Sequence, residues 1–346
     1  MKNLYVLDPN NNMKYVIDYA ESIIFNFKSN DVGDCEIYIP YIDSKLTDKI
    51  LLNDIIVDNL EDFTKSFIVK EIEIESDFSK GNYILIKGET FETLLKQRCM
   101  EYLEVLEGTI EENVDHIVSY VNNNFPLNKT ITTYLNIPDT TIHDFQFNLT
   151  SIFDCIKSMC AINNYNFVFL NGRYGSYELD IFESMSNNKV VFSLNNNNLI
   201  SFKKRLNNYD VVNYALVHYE VPTDPEFQPD FSTDAVFYVG TDSTGNDSFH
   251  GVVDATDIKD NDAQLFKRLC DNKGLSEIAQ NKPLKNIEIE VDASMFKFMR
   301  DFYFGNIVKV IDFFGNEYNA KIYEVTEKWD NNGYVCEPKL EIINNI

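Results

Sequence analysis

The sequence predicts an α+β chain that is predominantly β, with two antiparallel β units separated by an α+β module and an insertion within the second unit. Three observations lead there. Hydrophobicity alternates with a period of two up to about Glu89, and again around Ile287, Ile289 and Val291. Between these regions the period lengthens to that of a helix. Two hairpin-like stretches, LLNDIIVDNLEDFTKSFIVKEIEIE from Leu51 and YFGNIVKVIDFFGNEYNAKIYEVTE from Tyr303, read as copies of one piece of structure. In both, a polar turn leads into a strand, with Ile55, Ile56 and Val57 matching Ile307, Val308 and Lys309. The return strands share Glu71-Ile72 and Glu324-Val325. Few positions are identical, and short polar hairpins recur in any β-rich chain, so duplication and coincidence both remain open at this point.

The elements follow in order. Ile23–Phe27 and Cys35–Ile39 are apolar runs separated by the turn-rich Asn30-Asp31-Val32-Gly33-Asp34. The first hairpin then returns with Ile68, Ile72 and Ile74 on one face and Glu71, Glu73 and Glu75 on the other, which reads as a solvated acidic face. Residues 1–95 thus form a compact antiparallel unit, read as a small barrel. In the module at 96–190, Thr109 and Glu112 have capping-box spacing, and Ile110, Val114, Ile117, Val118 and Val121 fall on one helical stripe. A second helix is expected from Thr150 or Ser151, facing Ile152, Ile156, Met159 and Cys160 inward. The strand Asn166–Leu170 and its hairpin partner Tyr177–Phe182 follow.

The second β unit is expected to be split between 191–220 and 285–346, with an inserted loop-helix domain at 221–284. Within the insertion, residues 221–250 read as a long loop with at most one strand, Val236–Val239, and a helix from Ala263 is expected to stop at Gly274.

Length and composition bound the function. A chain of 346 residues that is 44% hydrophobic can bury substantial cores and suggests about two to four domains. With 55 Asp and Glu against 30 Lys and Arg, the formal charge of -25 repels phosphates, so stable nucleic-acid binding is not expected. The same repulsion suits a surface that a polyanion must pass without sticking. The apolar run Leu4–Leu7 stops at Asp8-Pro9, and no stretch approaches about 18 uninterrupted apolar residues. Neither export nor a membrane anchor is expected, and synthesis and folding should occur in cytoplasm.

Chemistry-bearing patterns are absent from the sequence. His116, His143, His218 and His250 are isolated, and no CxxC or HExxH occurs, so no metal or cofactor is expected. Cys160 with His143 would make a nucleophile and base, but the helical stripe assigns Cys160 to the core. Phe302, Tyr303 and Phe304 with Phe313-Phe314 could form an aromatic ligand platform; core or subunit contact is the simpler assignment.

These segments together resemble a known family. VGDCEIYIP, GNYILIKGETFETLLKQR, GTIEENVDHIV, FDCIKSMCAINNYNFVF, NNYDVVNYALV and FGNIVKVIDFFGNEYNAKIYEVTEKWDNNG follow in order like the siphophage tail hub family, which is related to baseplate hub proteins of contractile phages and phage-tail-like particles. The resemblance implies two tail-tube-like β-barrels per chain, assembled as a homotrimer whose six barrels form a ring. That ring would join the hexameric tail tube to a threefold tip in the virion and let DNA cross an acidic lumen. Implied partners are a distal tail or tail tube protein on one side and a tip, spike or fibre protein on the other.

The strands bearing Ile55, Val57, Ile307 and Val308 are the candidate ring interface. Two other functions compete with this non-enzymatic hub: a tail-associated cell-wall hydrolase, for which no extra domain is expected after the second hairpin, and a receptor- or carbohydrate-binding tail protein.

Overall fold

The computed structural model describes residues 2–40, 46–77, 81–101, 104–125, 127–138, 141–172, 175–224, 226–227, 229, 231, 236–241, 247–292 and 294–345. The first β unit comprises β1 (Leu4–Leu7), β2 (Met13–Ile17), β3 (Ser22–Lys28), β4 (Asp34–Pro40), the single turn α1 (Leu46–Lys49), β5 (Ile55–Val57), β6 (Ser66–Asp77) and β7 (Gly81–Glu89). Alternation in these strands is that of a sheet with one buried face. In β3, Ile23, Phe25 and Phe27 are buried while Ile24 and Asn26 are half-exposed.

The module that follows holds α2 (Glu92–Lys96), β8 (Glu104–Gly108), α3 (Ile110–Asn124), β9 (Ile131–Asn136), β10 (His143–Phe147), α4 (Ile152–Ile162), β11 (Asn166–Asn171) and β12 (Tyr177–Phe182). The capping box forms as expected: the Thr109 hydroxyl accepts from the Glu112 N–H at 3.2 Å, and the Glu112 carboxylate accepts from the Thr109 N–H at 2.9 Å. All five stripe residues of α3 are buried, and Ser151 caps α4. β11 pairs with β12 antiparallel, while β9 adds to β12 in parallel. The module has its own hydrophobic core, which Leu7, Ile55, Val57 and Ile68 of the first β unit join.

The remaining elements are β13 (Met185–Ser193), β14 (Leu199–Asn207), β15 (Tyr214–His218), β16 (Val236–Gly240), β17 (His250–Asp254), α5 (Ala263–Gln280), β18 (Leu284–Val291), β19 (Asn306–Ile311), β20 (Glu317–Asp330) and β21 (Gly333–Asn345). Strands β13, β14 and β18 to β21 form the second β unit.

Two expectations need correcting here. β15, read as part of that unit, instead pairs with β16 and β17 in a separate three-stranded sheet. By pairing, the second unit is therefore interrupted after Asn207. The helix α5 also runs through Gly274 to Gln280. A Cβ at Gly274 would meet Val217 Cγ2 at 2.7 Å and Val239 Cγ2 at 3.0 Å, so this glycine lets the helix lie close on the small sheet and does not end it. Much of 225–246, read as loop, lies outside the described residues.

The inserted unit docks on the module through β10. Gln146 and Lys259 exchange side-chain-to-backbone hydrogen bonds of 3.2 and 3.0 Å, and Arg268 Nε donates to Asp144 Oδ2 at 2.5 Å.

The two β units are joined edge to edge. β3 pairs antiparallel with the second half of β20, giving one hydrogen-bonded path of strands from β14 to β2 and one shared hydrophobic core. Phe27 and Phe298, 5.8 Å apart, belong to the two different units.

Candidate assembly edges

The two β units are duplicates in strand order and in register. In the first unit the order is β3-β4-β7-β6-β5; in the second it is β14-β18-β21-β20-β19. Ile55 faces Ile68 and Ile56 faces Phe67, while Ile307 faces Lys321 and Val308 faces Ala320. Both return strands shift register at the same place, between Val69 and Glu71 and between Ile322 and Glu324. One residue beyond that bulge each carries the same ion pair, Glu71 with Lys87 at 3.1 Å and Glu324 with Lys339 at 2.6 Å. Each hairpin turns through a glycine of positive φ, Gly81 and Gly333. Matching of a bulge, an ion pair and a turn at corresponding positions is what duplication predicts and coincidence does not.

The units differ where the insertion separates β14 from β18. They also differ in their outer strands, since β1 runs antiparallel to β5 but β13 runs parallel to β19.

This correspondence shows which edges the chain uses. The first part of β20 pairs with β19, and its second part, Glu324–Trp329, pairs with β3. Val325 faces Phe27 and Trp329 faces Ile23 in that ladder, and Phe25 meets the Trp329 ring edge-on at 5.5 Å. The counterparts of these two strands are β6 and β14. Among the described residues, Glu71–Ser76 of β6 pairs only with β7, and β14 pairs only with β18. Each therefore presents one edge without a strand. The side chains record the difference: Phe27 is 3% exposed but its counterpart Leu206 is 65% exposed, and Glu327 is 2% exposed but Ile74 is 51%.

The predicted interface residues lie elsewhere. Ile55 and Val57 are buried in β5, which is flanked by β1 and β6; Val308 is buried and Ile307 half-buried in β19, flanked by β13 and β20. Both flanks of these strands are satisfied within the chain, so the open edges belong to their neighbours. Sequence reading had Glu71, Glu73 and Glu75 as an acidic face but attached no meaning to the basic run Lys203-Lys204-Arg205 on β14. That run is the signal in the sequence that marks the second edge.

Other candidate chemistry resolves into structure. Cys160 is buried, and burial drives its thiol well above the ordinary range. Phe302 and Phe304 are core residues, Phe302 meeting Phe192 edge-on at 5.7 Å; Tyr303, Phe313 and Phe314 are exposed. No His, Cys, Asp and Glu cluster suited to a metal occurs among the described residues, nor does any helix long and apolar enough to cross a membrane.

A cleft of about 590 Å³ lies between the shared core of the β units and the core of the module, lined by Phe27, Glu92, Phe169, Asp180, Phe298 and Phe304 among others. Glu92 Oε1 accepts the Phe169 N–H at 2.9 Å, and its Oε2 has no partner among the described residues. Burial pushes this carboxyl up to about 7.

Comparison with known proteins fits this architecture. The 43 kDa tail protein of prophage MuSo2 from Shewanella oneidensis is 11% identical, with 98% of each chain covered and a TM-score of 0.61. The tail protein of Neisseria meningitidis MC58 is 10% identical over 99% of this chain and 97% of its own, also at 0.61. The E. coli c3393 protein, described as a type VI secretion component similar to the T4 tail proteins gp27 and gp5, is 8% identical over 94% of this chain and 74% of its own, at 0.50. At these identities the likeness is one of fold. A search of curated protein sequences gave no match. The profile of the Siphovirus ReqiPepy6 Gp37-like protein family matches residues 3–340, so the chain belongs to that family and is a phage tail protein of siphovirus type.

Proposed function

We propose that this protein is a structural, non-enzymatic tail hub: three copies form a ring of six similar β units that joins a hexameric tail tube to a threefold tip. The observation that carries this reading is the duplication in register. A chain that holds the same unit twice, fused through the β3–β20 ladder, converts three copies into six nearly equivalent positions. Family membership and the fold shared with tail proteins support the setting, and the relation of the E. coli neighbour to gp27 and gp5 supports a hub in particular.

In this reading one face of the ring meets the tube or distal tail protein and the other a spike or fibre, in the virion tail tip. The net charge of -25 keeps DNA from adhering as it passes through the lumen. The module and the inserted unit lie outside the duplicated framework and are assigned to the periphery or the tip.

Electron microscopy and native mass measurement of the purified protein, alone and with tail tube protein, test the proposal. Threefold rings of tube-like width are expected, and a protein that stays monomeric in both conditions overturns it.

A further inference from the structure

We infer that the ring closes by strand addition between copies: Glu71–Ser76 of β6 in one copy pairs antiparallel with Phe202–Asn207 of β14 in the next, in the register that β20 and β3 use within the chain. This rests on the hub reading above and specifies its contacts. The internal ladder is the template. It sets Glu324 opposite Lys28, Val325 opposite Phe27, Thr326 opposite Asn26, Glu327 opposite Phe25, Lys328 opposite Ile24 and Trp329 opposite Ile23. The counterparts of these residues follow from the shared registers. Glu71 and Ile72 stand where Glu324 and Val325 stand, because Lys87 and Lys339 pair with the two glutamates. Ile23, Ile24 and Phe25 face Ile37, Glu36 and Cys35, just as Phe202, Lys203 and Lys204 face Ile289, Glu288 and Ile287.

Carried over, the template sets Ile72 opposite Leu206, Glu73 opposite Arg205, Ile74 opposite Lys204 and Glu75 opposite Lys203. The register rests on backbone pairing alone, yet acids meet bases at two of the three outer-face pairs, the third setting Glu71 opposite Asn207. Leu206 and Ile74, exposed in the single chain, gain cover on the inner face. The same charges oppose the wrong pairings: two β6 edges would set glutamate against glutamate, and two β14 edges lysine against lysine. The contact is therefore head to tail, each copy supplying one acidic and one basic edge, and such contacts form a ring when the rotation from copy to copy closes. Backbone ladders across the junction would also remove the two unpaired strand edges, which invite uncontrolled association. The existing partners of these groups are local and exchangeable. Lys203 leans on Glu288 at 2.6 Å, Lys87 lies between Glu71 and Glu73 at 3.1 and 3.7 Å, and the Glu75 carboxylate accepts from the Tyr83 hydroxyl.

Cysteine cross-linking tests the register in the full chain, with the exposed Cys99 replaced by serine. Glu73→Cys with Arg205→Cys should give covalent trimers on mild oxidation, while the off-register pair Glu73→Cys with Lys203→Cys should not. In parallel, Glu73→Lys with Glu75→Lys, or Lys203→Glu with Arg205→Glu, should raise the concentration needed for assembly at least about tenfold. Combining all four substitutions should restore it, and thermal melting of each variant checks that the fold persists. Wild-type trimers without the specific cross-link, or without restoration in the fourfold variant, overturn this junction and leave the hub reading standing. A wild-type chain that stays monomeric even with tail tube protein overturns both.

Discussion

Replacing Glu92 by glutamine should stabilise the protein at alkaline pH and leave it nearly unchanged at acidic pH. Glu92 sits at the start of α2, fully enclosed between the first β unit and β11, with one oxygen on the Phe169 N–H and the other without a partner among the described residues. Burial disfavours the charged form, so the carboxyl is held at about 7 against an ordinary 4.5. The folded state then binds more protons than the unfolded state between those values, and stability falls as pH rises through that window. Integrated over it, the cost of keeping an ionised Glu92 is about 3 kcal/mol at pH 8, an upper bound because local water entry relieves part of it.

Glutamine retains the carbonyl acceptor for Phe169 and carries no charge, so it escapes the penalty. Urea unfolding of both proteins from pH 5 to pH 8.5 measures the effect as the difference between them, which cancels the many surface carboxylates. The difference should be about 1 kcal/mol or less at pH 5 and should grow in favour of the variant between pH 5 and 8. A difference independent of pH would refute the reasoning, since it would mean that Glu92 titrates alike in the folded and unfolded chains.

Other outcomes follow from the packing. Gly274→Val places side-chain atoms where Val217 and Val239 already stand, so it should destabilise the inserted unit by about 1–3 kcal/mol. Hydrogen exchange should show the loss in α5 and β15 to β17, with protection in β20 and β21 retained. Thr109→Ala removes half of the capping box on α3 and should cost about 1 kcal/mol in urea unfolding. Phe192→Ala empties a fully buried site beside Phe296 and Phe302 and should cost about 3–5 kcal/mol, read from the same unfolding curves. Purified protein incubated with peptidoglycan should release no soluble fragments; robust release would replace the structural reading with the hydrolase.

What the sequence by itself determined is everything governed by near neighbours along the chain. Alternation places Ile287, Ile289 and Val291 in the core because successive strand residues point to opposite faces, whatever the strand pairs with. The caps at Thr109 and Ser151 are legible because a capping side chain and the N–H it accepts are three residues apart. The paired hairpins were visible for the same reason, as turn and strand recurring in one order.

Tertiary structure decided what depends on distant partners. Tyr214–His218 has the composition of a strand but joins a different sheet, and Gly274 looked like a helix stop until Val217 and Val239 were found against it. Ile55, Val57, Ile307 and Val308 looked like interface strands, yet both flanks of β5 and β19 are filled from within the chain. Whether a strand has a free edge is a property of its neighbours in space. Only the fold, by bringing β3 to β20 and leaving β6 and β14 without equivalents, shows which strand edges stand without a partner strand among the described residues.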